Sequence, residues 1–247
     1  MSAFAKLTWV EIKLFTREPF AVIFTFAFPL IVLIVLINSF QPEEGGFGGF
    51  GEADPQDYYL ASYVGVVIAA VGLIALPVHI ATYRDQGILR RFRASSLAAW
   101  TIVGAQAIVG LLMAIASSIV LIVFGRVFYD AAMPESPGLV LIGFLVGTIT
   151  FLSVGVLLGI VTRNARGAQA VGMMLFFPMF LMSGAGPPRD IMSGGMRSVS
   201  DVLPLTWVVS SLQNPWLGED MKWSNLFLLG GLLAACVALS MRLLRRV

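Results

Sequence analysis

The chain has 247 residues, of which 58% are hydrophobic and 12% charged, with a net charge of +2 and a mean hydropathy of +0.89. A water-soluble domain is about one quarter charged, so this composition excludes a soluble globular protein and requires a bilayer as solvent. A single cysteine, Cys236, excludes an internal disulfide, and no polar stretch is long enough to build a second core.

Residues 2–18 (SAFAKLTWVEIKLFTRE) come first. At 100° per residue Lys6, Lys13 and Arg17 fall on one stripe, and Phe4, Leu7, Leu14 and Phe15 on another. That amphipathic pattern predicts an interfacial helix along the inner leaflet, with Trp9 at a suitable depth and Pro19 marking the start of the first span. Spans need roughly 20 mostly apolar residues. Six are predicted, at about 20–40, 58–80, 99–124, 137–161, 167–183 and 224–241. The first is too long in its apolar core, and lacks the small-residue cleavage pattern, to be a cleaved leader.

Residues 41–57 (QPEEGGFGGFGEADPQD) are Gly-rich and acidic and read as a loop. Residues 125–136 read as a polar turn. In 184–223, Pro187, Pro188, Gly194, Gly195 and Pro204 separate short apolar stretches, which predicts short re-entrant helices in the outer leaflet rather than another full span. The expected fold class is therefore all-α, a single polytopic membrane domain over 1–247.

Charge placement fixes an orientation. With the N-terminus inside, the cytoplasmic segments hold 12 of the 16 basic residues (Lys6, Lys13, Arg17, Arg84, Arg90, Arg91, Arg93, Arg163, Arg166, Arg242, Arg245 and Arg246) and three acids. The outer segments hold the other four basic residues and 11 acids. The positive-inside rule then predicts both termini in the cytoplasm.

The sequence contains no G-x-x-x-x-G-K-[ST] phosphate loop, no G-x-S-x-G or H-E-x-x-H, and no His/Cys/carboxylate group at metal-ligand spacing. No catalytic residue, metal or cofactor is expected, and no nucleic-acid partner. No Asp, Glu, Lys or Arg falls inside any predicted span. Ion-driven transporters and many membrane enzymes carry ionisable groups at depth, so both a secondary transporter and a lipid-modifying membrane enzyme are weakened. His79, near the inner end of the second span, reads as an interfacial histidine.

The connection 83–97 (YRDQGILRRFRASSL) packs four arginines between Arg84 and Arg93. As a short helix it would show Ile88, Leu89 and Phe92 as an apolar patch ringed by charge. It is either a docking helix for a soluble partner or a basic loop lying on anionic lipid; composition alone leaves both open.

The motifs in order are E-x-K-x-x-x-R-x-P (Glu11, Lys13, Arg17, Pro19), Y-R-x-x-G-x-L-R-R-x-R (Tyr83 to Arg93), T-R-N-A-R-G-A-Q after the fourth span, F-F-P-M-F-L-M-S-G (Phe176 to Gly184) and L-P-L-T-W-V-V (Leu203 to Val209). Together they resemble an ABC transporter type-2 permease of the drug- and antibiotic-exporting branch typified by daunorubicin-resistance permeases, over nearly the whole chain. The resemblance implies a six-span half-transporter, working as a dimer of two permease copies with two copies of a separate ATPase subunit that binds ATP and magnesium. It implies multidrug efflux or antibiotic resistance as the setting, with a polysaccharide or lipid-linked glycan exporter as the alternative. It also implies that Arg84, Asp85, Gly87, Leu89, Arg90 and Arg91 belong to a coupling helix seated on the ATPase.

Met173, Phe176, Phe177 and Phe180 give the fifth span an adaptable apolar wall suited to an amphipathic cargo; the same stripe is also what packing or lipid contact requires. Gly143, Gly147, Gly155 and Gly159 form two G-x-x-x-G pairs in the fourth span, for packing within the subunit or for a dimer seam.

Overall fold

The computed structural model describes Trp9, Lys13 and residues 19–39, 50, 53–85 and 99–246. The described residues are helical, with no strand among them. The first span, α1, is continuous through Pro19–Val22, a π turn at Ile23–Ala27, and Phe28–Ser39. It is followed by α2 (Pro55–Asp85), α3 (Ala99–Tyr129), α4 (Pro137–Val161) and α5 (Ala165–Met182). A 3-10 turn at Arg189–Ile191 leads to α6 (Gly194–Asp201), α7 (Pro204–Trp216) and α8 (Trp223–Arg246). Among the described residues, five helices are long and apolar enough to cross a membrane, and Ile23–Ser39 adds a shorter apolar one. The chain is an all-α polytopic membrane protein.

Helix α2 is the axis of the bundle. Nearly every residue from Pro55 to Ala81 is buried, and α1, α3, α4, α5 and α7 pack around it. Proline at its first turn costs no intrahelical bond, and Asp57 in that turn suits the positive end of the helix dipole. The Asp57 carboxylate also accepts the Ala132 N–H at 2.7 Å, tying the start of α2 to the α3–α4 connection. Helix α3 continues to Tyr129, past the expected end of that span, and closes on Asp130, a non-glycine residue with φ 51.

Small residues let the backbones approach. A Cβ on Gly72 would lie 2.6 Å from the Phe151 carbonyl oxygen, and a Cβ on Gly155 would collide with the Gly72 carbonyl. Gly159 meets Ile80, Gly147 meets Val208, and Gly143 meets the Ser211 carbonyl. The four glycines of the two G-x-x-x-G pairs therefore face α2 or α7 within this chain, which assigns those pairs to packing inside the subunit.

Helix α7 has 13 residues, about 20 Å of helix, too short for a hydrocarbon core of about 30 Å. It lies buried against the first half of α2 and the first half of α4, antiparallel to α4: Val208 sits on Gly147, and Ser211 on Gly143. Its last carbonyls, on Pro215 and Trp216, accept the backbone N–H groups of Ser136 and Glu135 at 3.0 and 3.2 Å, in the α3–α4 connection. This is the short helix expected between the fifth and sixth spans. A polar layer holds it in place: the Gln213 amide donates to Ser62 Oγ and to the Tyr58 carbonyl, and the Tyr58 hydroxyl donates to the Gly184 carbonyl at 3.1 Å.

Two spans share one irregularity. The π turns Ile23–Ala27 and Val71–Ala75 each lie just before a proline, Pro29 and Pro77, and pack against one another. Proline lacks the N–H that would close on the carbonyl four residues earlier, and its ring crowds that carbonyl; a wider turn relieves the clash. The carbonyls concerned, Thr25 and Leu73, are each the middle residue of their π turn. The Ser117 hydroxyl of α3 donates to the first, and Gly172 of α5 packs against the second.

Candidate functional site: the α2–α4–α5 end of the bundle and the α1–α5 aromatic layer

The C-terminal end of α2 reaches the α4–α5 turn, residues 162–164. Helix α4 ends at Val161 with the unpaired carbonyls that every helix C-terminus carries. The Arg84 guanidinium donates to the carbonyl of Ile160 and, at 3.4 Å, to that of Thr162. Helix α5 begins at Ala165, and its first N–H groups are the complementary orphans. The Asp85 carboxylate accepts the Ala165 N–H at 3.2 Å, while the Asn164 side chain accepts the Gly167 N–H at 2.7 Å. A cation thus stands at a helix C-terminus and an anion at a helix N-terminus, the favourable sense for both dipoles. Both side chains are exposed to solvent.

Of the six expected coupling residues, the structure places Arg84 and Asp85 in this clasp, whereas Gly87, Leu89, Arg90 and Arg91 lie outside the described residues. Of the expected interfacial helix, Trp9 and Lys13 are helical and exposed; Glu11 and Arg17 also lie outside. His79 is buried within the C-terminal third of α2 rather than turned to the interface, a correction to the sequence reading: α4 and α5 cover the side of α2 that a lone helix would give to headgroups. Sequence reasoning missed Ile160, Thr162 and Ala165 as partners of the coupling segment, and Asn164 as the cap beside them. The signal was the T-R-N-A-R-G-A-Q run, in which Asn164 is a ready N-cap.

The four candidate pathway residues separate by environment. Phe176 is fully buried and Phe180 is 7% exposed. Their rings lie parallel at 6.0 Å, and Phe28 meets each of them edge-on at 5.7 Å. Phe24 stacks on Phe28 at 5.4 Å, and Tyr63 of α2 closes the layer against Phe180 at 6.2 Å. Met173 is half-buried. Phe177 keeps 39% of its surface open while still touching Phe24 and Phe28 at 6.3 and 6.2 Å. Met174 and Leu181, on the same helical face as Phe177, are 77% and 53% exposed. The result is a rigid aromatic seam joining α1 to α5, with a Met/Phe/Leu strip open beside it.

In the segment between α5 and α7, Arg189 pairs with Asp201, and Arg197 donates to the carbonyls of Arg189 and Asp190 at 2.9 and 3.0 Å. Arg126 likewise donates to the Ala131 carbonyl at 3.0 Å, so three of the four basic residues expected outside are engaged by acceptors of their own segment. Among the described residues, no group of His, Cys, Asp and Glu could hold a metal ion.

A family model described as the ABC-2 type transporter matches residues 2–215. The chain is also similar to YvfS of Bacillus subtilis (strain 168), whose assigned name is that of a transport permease. The two are 22% identical over 233 residues, which cover 93% of this chain and 91% of that one.

Proposed function

The chain belongs to the ABC-2 type transporter family, and from that premise we propose that it is the pathway-forming subunit of an exporter driven by a separate ATPase. The sequence lacks a phosphate-binding loop, so ATP and magnesium are bound by the partner. The observation that carries the reading is the joining of the arginine-rich connection, at its α2 end, to the turn between α4 and α5. A rigid-body displacement of that connection has a path into three spans rather than one. Both termini are cytoplasmic, as the positive-inside count requires.

Two copies of the chain form the pathway, with the open strip of α5 (Met174, Phe177, Leu181) turned toward it and Phe176 and Phe180 holding the strip from behind. Unbranched methionine and flat aromatic surface adapt to varied apolar shapes, which supports an amphipathic drug-like or lipid-like cargo. Gly87, Leu89, Arg90 and Arg91 contact the ATPase, with the leucine filling a hollow and the arginines setting orientation and encounter rate.

Affinity capture of ATPase by tagged wild-type chain and by the Leu89→Asp variant, in detergent free of anionic lipid, tests this reading. Capture by wild type and its loss in the variant support a docking helix. Equal capture by both assigns the connection to lipid contact instead.

A further inference from the structure

We propose that Arg84 and Asp85 are positioning residues that lock the α4–α5 turn to the inner end of α2, so that nucleotide-driven movement of the connection 86–98 is delivered to α4 and α5 together. This inference rests on the exporter reading above and gives the pair a role other than contact with the ATPase.

The argument begins with which groups are already engaged. Arg84 serves two carbonyls at the end of α4, and Asp85 serves the first N–H of α5. Adjacent residues on one turn of α2 therefore hold both ends of the turn between two other helices. The three helices are also packed tightly at this depth: Gly159 of α4 lies on Ile80 and on the Pro77 carbonyl, and Gly172 of α5 on Leu73. At the far edge of this block α2 carries its π turn at Val71–Ala75 and Pro77, where the regular hydrogen-bond ladder is already interrupted. The inner segment of α2 and the α4–α5 turn thus form one mechanical unit below a joint.

Solvent exposure separates positioning from stability. Exposed charged hydrogen bonds contribute little to folding, and the buried glycine contacts already hold the helices together. What the clasp adds is directional: it fixes the turn, which has only three residues, to the end of α2 from which the connection emerges.

The test uses full-length chain with its captured ATPase in lipid nanodiscs, read by hydrogen exchange before and after a non-hydrolysable ATP analogue with magnesium. Arg84→Ala and Asp85→Ala remove the clasp. Asp85→Asn keeps an acceptor for the Ala165 N–H and serves as the conservative rescue. Asn164→Ala removes only the α5 cap and controls for simple loosening of the turn. In wild type the analogue is expected to change exchange both at 86–98 and at 160–168. In the two alanine variants ATPase capture persists and the change at 86–98 remains. The change at 160–168 falls about five-fold or more, the lower bound of ordinary allosteric coupling. Asp85→Asn and Asn164→Ala retain it.

A full response at 160–168 in both alanine variants overturns the proposal. Loss of ATPase capture by those variants also overturns it, and assigns the pair to the ATPase contact. A wild-type chain that captures no ATPase overturns the exporter reading, and the role of the clasp with it.

Discussion

Replacing Gly72 by alanine tests the packing that positions every other element. The new methyl carbon would stand 2.6 Å from the Phe151 carbonyl oxygen and 2.7 Å from its carbonyl carbon and Cβ. A close carbon–oxygen contact is about 3.3 Å, so the seam must open by about 0.7 Å. The obstacle is helix backbone rather than the end of a side chain, so no rotamer relieves it, and α2 and α4 must part along their crossing. Overpacking of this kind costs ~1–3 kcal/mol. Gly155→Ala addresses the same crossing from the other side, and the two substitutions should be non-additive. Gly230→Ala and Gly231→Ala on α8 meet nothing within 4 Å and should be neutral or stabilising by up to about 1 kcal/mol. Reversible unfolding in mixed micelles of dodecylmaltoside and sodium dodecyl sulfate measures the difference. If Gly72→Ala unfolds at the same detergent mole fraction as Gly230→Ala, the α2–α4 approach is wrong. A change in oligomeric state without loss of monomer stability would instead place the glycine seam between subunits.

Phe176→Ala, which empties a fully buried site, should cost ~3–5 kcal/mol in the same assay; Phe177→Ala should cost far less and should change ATP turnover stimulated by amphipathic compounds. Ser117→Ala removes the hydroxyl that donates to the Thr25 carbonyl and should cost ~0.5–2 kcal/mol; no measurable loss would mean that the π turn of α1 closes without it. In a Cys236→Ser background, an impermeant maleimide should label Lys222→Cys in intact cells and Arg163→Cys only after permeabilisation. The reverse order would invert the topology.

Much of the fold was legible because a bilayer imposes length and polarity rules on sequence. The apolar runs at 137–161 and 224–241 can be little else, and Pro204 starts a helix too short to span. The identity of α2 as the central helix was not legible. Its sequence is no more apolar than that of α3, and burial among helices looks like burial in lipid when both neighbours are hydrocarbon. The partner of the α4 glycines was hidden for the same reason, since a G-x-x-x-G pair invites a helix without naming it. The clasp was hidden differently. Arg84 sits in a run of arginines whose count satisfies the positive-inside rule, and nothing local shows that it caps a helix 76 residues away. The stripe Met173, Phe176, Phe177 and Phe180 read as one surface, yet helix rotation turns Phe176 and Phe180 toward α1 and leaves Phe177 open.

ATP hydrolysis in proteoliposomes tests the central claim most directly. The purified chain is reconstituted alone, with its captured ATPase, and with that ATPase plus the Leu89→Asp variant. The account predicts no turnover by the chain alone, turnover in a complex containing two copies of each subunit, and loss of that complex with the variant. Robust hydrolysis by the chain alone, free of contaminating ATPase, would contradict it.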